Sequence, residues 1–148
     1  MADMKSEQTT SILRSVLALG RRLRAERPPG AEKLAVISIL STLYRSGPMP
    51  ARQLAVEERL QPQSLTRLIG ELEHKGWIAR KRSKADRREI SIDLTARGTR
   101  VLAEDIQARR LWLQAAMNAA LTKDEQDVLL RAVDAMSKLA RFETAAGP

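Results

Sequence analysis

Between Glu89 and Leu94 the apolar residues change their spacing, and this one change constrains the fold most. Ile90, Ile92 and Leu94 alternate strictly with Glu89, Ser91 and Asp93, the pattern of a half-buried strand with the three apolar side chains facing the core. Trp77-Ile78-Ala79-Arg80 precedes it, and the polar run Lys81 to Arg88 lies between. Two short strands joined by a long charged loop read as a β-hairpin with a protruding tip. Elsewhere apolar residues recur every three or four positions, as on one face of a helix. The chain is therefore expected to be mainly α with one small β-hairpin.

Proline and glycine divide the helical part. A first helix is expected from about Glu7 to Arg27, with Ile12, Leu13, Val16, Leu17, Leu19 and Leu23 as its stripe and Pro28-Pro29-Gly30 as its stop. A second, from about Ala31 to Ser46, places Leu34, Ile37, Leu40, Leu43 and Tyr44 on one face and ends at Gly47-Pro48. A short helix follows, about Ala51 to Glu58, with Pro50 suited to its start. After a turn over Arg59 to Gln61, Pro62 opens a helix to about Lys75, ended by Gly76, with Leu65, Leu68, Ile69 and Leu72 on its buried face. Beyond the hairpin, Thr95 can cap a helix from about Ala96 to Ala120, through Val101, Leu102, Ile106, Leu113 and Met117. Thr122-Lys123-Asp124-Glu125 is a capping-box signature. It opens a last helix striped with Val128, Leu129, Val133, Met136, Leu139 and Ala140, and the tail Thr144 to Pro148 reads as frayed.

Composition excludes several kinds of function. A chain of 148 residues with 43% apolar and 30% charged residues is of the size and balance of one globular domain that needs no disulfide or metal to fold. It has no cysteine, so thiol nucleophiles, thiol redox switches, iron–sulfur clusters and cysteine-based zinc sites are excluded. The single histidine, His74, removes histidine-pair metal sites; near a helix end it reads as a phosphate contact or a solvated side chain. No phosphate loop, nucleophile elbow, dinucleotide fingerprint or HExxH motif occurs, and neither an enzyme nor a cofactor or metal is expected. No uncharged run approaches the about 20 residues of a membrane-spanning helix. The first ten residues carry Asp3, Lys5 and Glu7 rather than the apolar segment of a secretory signal, so a cytoplasmic location is expected.

The net charge of +8 favours an anionic partner. The aromatic residues Tyr44, Trp77, Trp112 and Phe142 are too few and scattered for a base-stacking platform, which makes duplex DNA a better partner than single strands. Helix, short turn, helix and hairpin form a winged helix-turn-helix pattern. With Leu54, Leu65, Leu68, Ile69 and Leu72 buried, the second helix of the pair shows Gln63, Ser64, Thr66, Arg67 and Gly70 to solvent. Its N-terminal part is the end that a recognition helix puts into the major groove, where arginine can bond guanine bidentately. From Arg80 to Arg88 there are six basic residues (Arg80, Lys81, Arg82, Lys84, Arg87 and Arg88) and one acid, Asp86. Most of the excess charge thus lies on the hairpin, a basic finger suited to phosphate contact and to arginine insertion into a minor groove. Two plainer readings stand beside these: the basic run as a solvated loop, and Arg67 as the partner of Glu71 at i+4.

Ser64-Leu65-Thr66-Arg67, Leu72-Glu73-His74-Lys75-Gly76-Trp77-Ile78-Ala79-Arg80, Asp86-Arg87-Arg88, Leu94-Thr95 and Gly98 occur in an order and spacing that resemble the MarR family of bacterial transcriptional regulators. The resemblance runs from roughly Ser6 to Phe142. It implies an obligate homodimer in which the N- and C-terminal helices interlock, a pseudo-palindromic operator, and often a small aromatic or phenolic ligand that releases DNA. It also implies that Arg67 contacts bases, that Arg88 is the wing arginine of the minor groove, that Ser64 and Thr66 are helix contacts, and that Asp86 pairs with an arginine to shape the tip. Members that sense oxidants commonly do so through cysteine, which this chain lacks.

Together these features lead us to expect a dimeric, sequence-specific DNA-binding regulator, a repressor released by a small ligand. The alternative is a winged-helix module that binds DNA without sequence preference or serves in protein assembly. Residues 1–30 and 96–148 are expected to form the helical dimerisation region, because their apolar stripes exceed what a small winged domain can cover. Residues 31–95 are expected to form the DNA-binding domain, read through Gln63, Ser64, Thr66 and Arg67 on the helix and Arg82, Lys84, Arg87 and Arg88 on the wing. Trp77 reads as packing beneath the wing, and Trp112 as interface core rather than pocket wall.

Overall fold

The computed structural model describes residues 2–84 and 86–142. The elements are α1 (Ala2–Ala25), α2 (Leu34–Ser46), β1 (Met49–Pro50), α3 (Ala51–Glu58), α4 (Pro62–His74), β2 (Ile78–Arg82), β3 (Ile90–Leu94), α5 (Ala96–Ala120) and α6 (Lys123–Arg141). The expected tail Thr144 to Pro148 lies outside the described residues. The chain divides into two compact units, Met1–Arg109 and Arg110–Pro148, and no described helix is long and apolar enough to cross a membrane.

In the first unit, α2, α3 and α4 pack around one core closed by a small antiparallel sheet in the order β1-β3-β2. The hairpin aligns Ile78 with Leu94 and Arg82 with Ile90. Its third strand was not expected. Met49 pairs with Ile92 and Pro50 with Ser91, in a two-residue edge strand, where proline is tolerated. This strand covers Ser91, which is buried, and alters the simple alternation of β3. Ile92 is 1% exposed and Leu94 packs on the core, but Ile90 is 54% exposed. Ile90 lies opposite Arg82 at the far end of the hairpin, beyond the reach of the core.

Leu54, Leu65, Leu68, Ile69 and Leu72 are all buried, as their spacing requires. Helix α2 is rotated from expectation. Val36 and Ile39 join Ile37, Leu40 and Leu43 in the core, while Leu34 and Tyr44 are exposed. Leu34 stands at the helix start on the side of Ser38, Ser41 and Arg45, whereas Val36 and Ile39 lie on the face of Leu40 and Leu43. It also starts at Leu34 rather than Ala31, after a turn in which the Ala31 N–H donates to the Pro28 carbonyl. Helix α1 starts earlier than its stripe, at Ala2, because no breaker precedes Glu7.

Three junctions follow from local sequence. The Gly76 N–H donates to the Glu73 carbonyl and the Trp77 N–H to the Leu72 carbonyl, closing α4 with glycine at φ +71°. Thr95 caps α5, accepting from the Gly98 N–H at 3.1 Å. Its hydroxyl also donates to the Gly76 carbonyl at 2.7 Å, so one side chain ties the end of α4 to the start of α5. In the second unit the capping box forms as expected: the Glu125 N–H donates to Thr122 Oγ1 and the Thr122 N–H to Glu125 Oε2.

Among the described residues, the apolar stripes of the terminal helices are left exposed. Ile12, Leu13, Val16, Leu17 and Leu19 of α1 are exposed, as are Val128, Leu129, Val133, Met136 and Leu139 of α6. On α5, Leu102 is buried but Ile106 and Leu111 are exposed.

Candidate nucleic-acid interface

Helix α4 buries one face and leaves Gln63, Ser64, Thr66 and Arg67 exposed on the other, within its first two turns. Thr66 donates its hydroxyl to the Pro62 carbonyl at 2.8 Å, which leaves the oxygen free to accept. Arg67 lies 3.5 Å from Glu71, as the i+4 reading expected, and its side chain stays 69% exposed. An exposed pair of that length is worth at most a few tenths of a kcal/mol, ~0.3–0.5, so it leaves Arg67 available to a stronger partner.

The hairpin divides its basic residues into two classes. Arg80 Nε reaches Glu73 at 3.0 Å and Lys81 Nζ reaches Asp93 at 2.7 Å. These two brace the wing to α4 and across its own ladder. Arg82, Lys84, Arg87 and Arg88 are exposed and have no ion pair among the described residues. The four cations expected to meet DNA are thus the four not engaged inside the protein. The tip is closed by backbone bonds: the Ser83 N–H donates to the Glu89 carbonyl at 2.9 Å and the Glu89 N–H to the Asp86 carbonyl at 3.0 Å.

Asp86 shapes this tip in a different way from the one expected. Among the described residues it has no arginine partner; its Oδ1 accepts the Arg88 N–H at 2.9 Å. A short side chain two residues upstream reaches that backbone group readily. The neighbouring guanidinium groups stay exposed, so the acid orders the tip without neutralising it.

Beneath the wing, Trp77 packs against the core, as expected, with Lys75 Nζ 4.5 Å from its ring centroid. His74 is exposed at the end of α4, and no group of three or more acids and histidines that could hold a metal ion occurs among the described residues. Gly98 is buried against the Trp77 carbonyl, where a Cβ would lie 2.1 Å from that oxygen and 2.7 Å from Leu94 Cδ1.

Two features were missed from sequence. Asp105 is 5% exposed; its Oδ1 accepts from Arg27 Nε at 2.8 Å and Nη2 at 2.6 Å, and its other oxygen binds Arg109. Arg27 also bonds the Glu32 carbonyl, so the residues after α1 are tied to α5. An acid on the apolar side of α5, next to Leu102 and Ile106, was the available signal, but its partner lies 78 positions away. Beside this network runs a cleft of about 270 Å³, lined by Pro28, Pro29, Glu32, Ile37, Trp77, Val101, Glu104 and Asp105 among others. The second feature is an ion pair between Arg52 on α3 and Glu89 on the wing, at 2.8 Å.

Comparison with known proteins agrees with this architecture. The MarR family model matches residues 34–90, from α2 to the start of β3. An HTH-type transcriptional regulator of Mycobacterium bovis is 31% identical over 139 residues, covering 94% of this chain and 96% of its own. The HTH-type transcriptional repressor MdtR of Bacillus subtilis is 29% identical, covering 86% of this chain and 82% of its own. Among solved structures, a transcriptional regulator protein from Pseudomonas aeruginosa superposes with a TM-score of 0.74 at 30% identity, covering 95% of this chain and 98% of that one. A MarR family protein from Bacillus stearothermophilus shares the fold with a TM-score of 0.79 at 21% identity, covering 96% and 99%. With a winged helix-turn-helix, a basic wing and relatives matching along nearly its whole length, the chain belongs to the MarR family of transcriptional regulators.

Proposed function

We propose that the protein binds duplex DNA as a two-fold symmetric homodimer, represses transcription from a pseudo-palindromic operator, and is released by a small ligand. The observation that carries the DNA reading is the division of charge on the wing. Arg82, Lys84, Arg87 and Arg88 are exposed and without ion pairs among the described residues, beside a helix that exposes Gln63, Ser64, Thr66 and Arg67. Recognition-helix side chains read base edges while the wing holds the backbone and the minor groove. Residues 31–95 serve as the reading head, and residues 1–30 and 96–148 supply the dimer contact. The exposed apolar stripes of α1 and α6 support that contact, because exposed apolar patches commonly mark interaction sites. The repressor role is supported by the name of the MdtR relative.

The cleft beside Trp77 is the place for an effector. It adjoins the Arg27–Asp105 tie between the end of α1 and α5, so a ligand there could shift the spacing of two reading heads. Of the acids in its lining, Asp105 is paired with Arg27 and Arg109 and Glu32 with Lys75, so an uncharged aromatic molecule suits it.

Fluorescence anisotropy with the upstream intergenic DNA of this protein's own gene, beside a scrambled duplex of equal length and across a salt series, tests the reading. An affinity ratio of roughly 10³ or more that survives moderate salt is expected of an operator-specific regulator. Equal affinities that collapse together with salt mark the alternative, a DNA-coating module without operator choice.

A further inference from the structure

Arg52 stands in the second turn-forming position of α3, next to the positive end of the helix, where a cation gains nothing from the backbone dipole. Its side chain is 84% exposed, and its one ion pair among the described residues is to Glu89, itself 33% exposed. A pair so exposed contributes little to stability, so folding gives no reason for an arginine here. The location does. Arg52 and Thr66 line the same groove, of about 540 Å³, between α3 and α4. At its other end the Arg52 guanidinium meets the residue that follows Arg88, at the bonds closing the wing tip. Arg52 therefore bridges the exposed face of α4 and the free cations of the wing. Glu89 is the acid that holds it there.

Building on the DNA-binding reading above, we propose that Arg52 is a further backbone-contacting residue and that Glu89 is its placeholder. In the free protein the carboxylate neutralises and orients the guanidinium. On DNA a backbone phosphate, which offers a comparable pair of acceptor oxygens within the duplex's dense array of negative charge, takes Arg52 from Glu89. The carboxylate left behind then repels the backbone, which lowers affinity for any duplex and leaves base contacts to decide which site is held. Glu89 is thus a specificity-determining residue that touches no base.

The test compares wild type, Arg52→Gln, Arg52→Lys and Glu89→Gln on the intergenic and scrambled duplexes across a salt series, with thermal unfolding of each variant as the check on folding. Arg52→Gln is expected to weaken both duplexes by roughly tenfold and to flatten the log–log salt slope by about one per reading head, with an unchanged melting temperature. Arg52→Lys is expected to restore the slope, since a point charge still displaces a counterion. Glu89→Gln is expected to tighten both duplexes and to narrow the ratio between them. An unchanged slope in Arg52→Gln, or weaker binding in Glu89→Gln at an unchanged melting temperature, overturns the proposal and makes the pair a brace of the wing. If Arg52→Gln or Glu89→Gln melts lower than wild type, the pair is structural and the proposal likewise fails. A wild-type protein that binds neither duplex sinks the DNA-binding reading itself, a result distinct from all of these.

Discussion

Gly98 shows what single positions can and cannot disclose. It stands in the first turn of α5, where most residues are acceptable, and nothing in its neighbours' types announces a need for glycine. The need comes from the Trp77 carbonyl, which lies where a side chain would begin. Gly98→Ala is expected to lower stability by about 3 kcal/mol, the upper part of the range for overpacking, because the obstructing atom is backbone and cannot swing aside. Thermal unfolding measures it, and a variant that melts with wild type would mean that Trp77 and α5 do not approach as described. Asp86 teaches a related lesson. The family resemblance implied an ion pair with an arginine, whereas its contact among the described residues is a backbone N–H two residues on. Residue type identified the right participant, but the partner depended on the local turn.

Among the elements, the wing separates unpaired charge from charge that braces, among the described residues. Six basic residues within nine positions look equivalent in sequence. The ladder makes them different, because it sets Lys81 beside Asp93 and α4 brings Glu73 to Arg80. Arg88→Ala is expected to weaken duplex binding and flatten the salt slope by about one per reading head. Arg80→Ala is expected to leave the slope unchanged and to lower the melting temperature slightly. Equal slopes for the two variants in the same titration would mean that the wing acts only as a diffuse positive surface. The boundaries of most elements were legible: α3 and α5 fall on their expected residues, α4 ends one residue early, and the capping box marks the start of α6. Those signals are local, made of proline, glycine and capping side chains acting within one turn. Strand β1 was not legible, since a two-residue strand has no period and exists only where β3 pairs with it.

For the whole molecule, the proposed homodimer is the property to test. Among the described residues, none of helix α6 is buried although its stripe is strongly apolar. Val133→Glu, in the middle of that stripe, is expected to reduce the sedimenting mass from about twice the 16.5 kDa of the chain to a single copy. Helical content should persist, and operator affinity should fall steeply because two half-sites are no longer read together. A variant that sediments as wild type would remove α6 from the dimer contact.

Local chemistry was enough to set where helices begin and stop, which face of α4 is buried, and where the net charge gathers. All of these depend on neighbours within about four residues, through hydrogen-bonding caps and side-chain spacing. Packing settled the rest. Which apolar residues of α2 reach the core, why Ile90 is left outside it, which wing cations are neutralised, and how Arg27 finds Asp105 or Arg52 finds Glu89 all depend on contacts between distant parts of the chain. Such contacts leave no periodic trace, because an ion pair needs only one residue at each end and the distance between them in sequence is arbitrary.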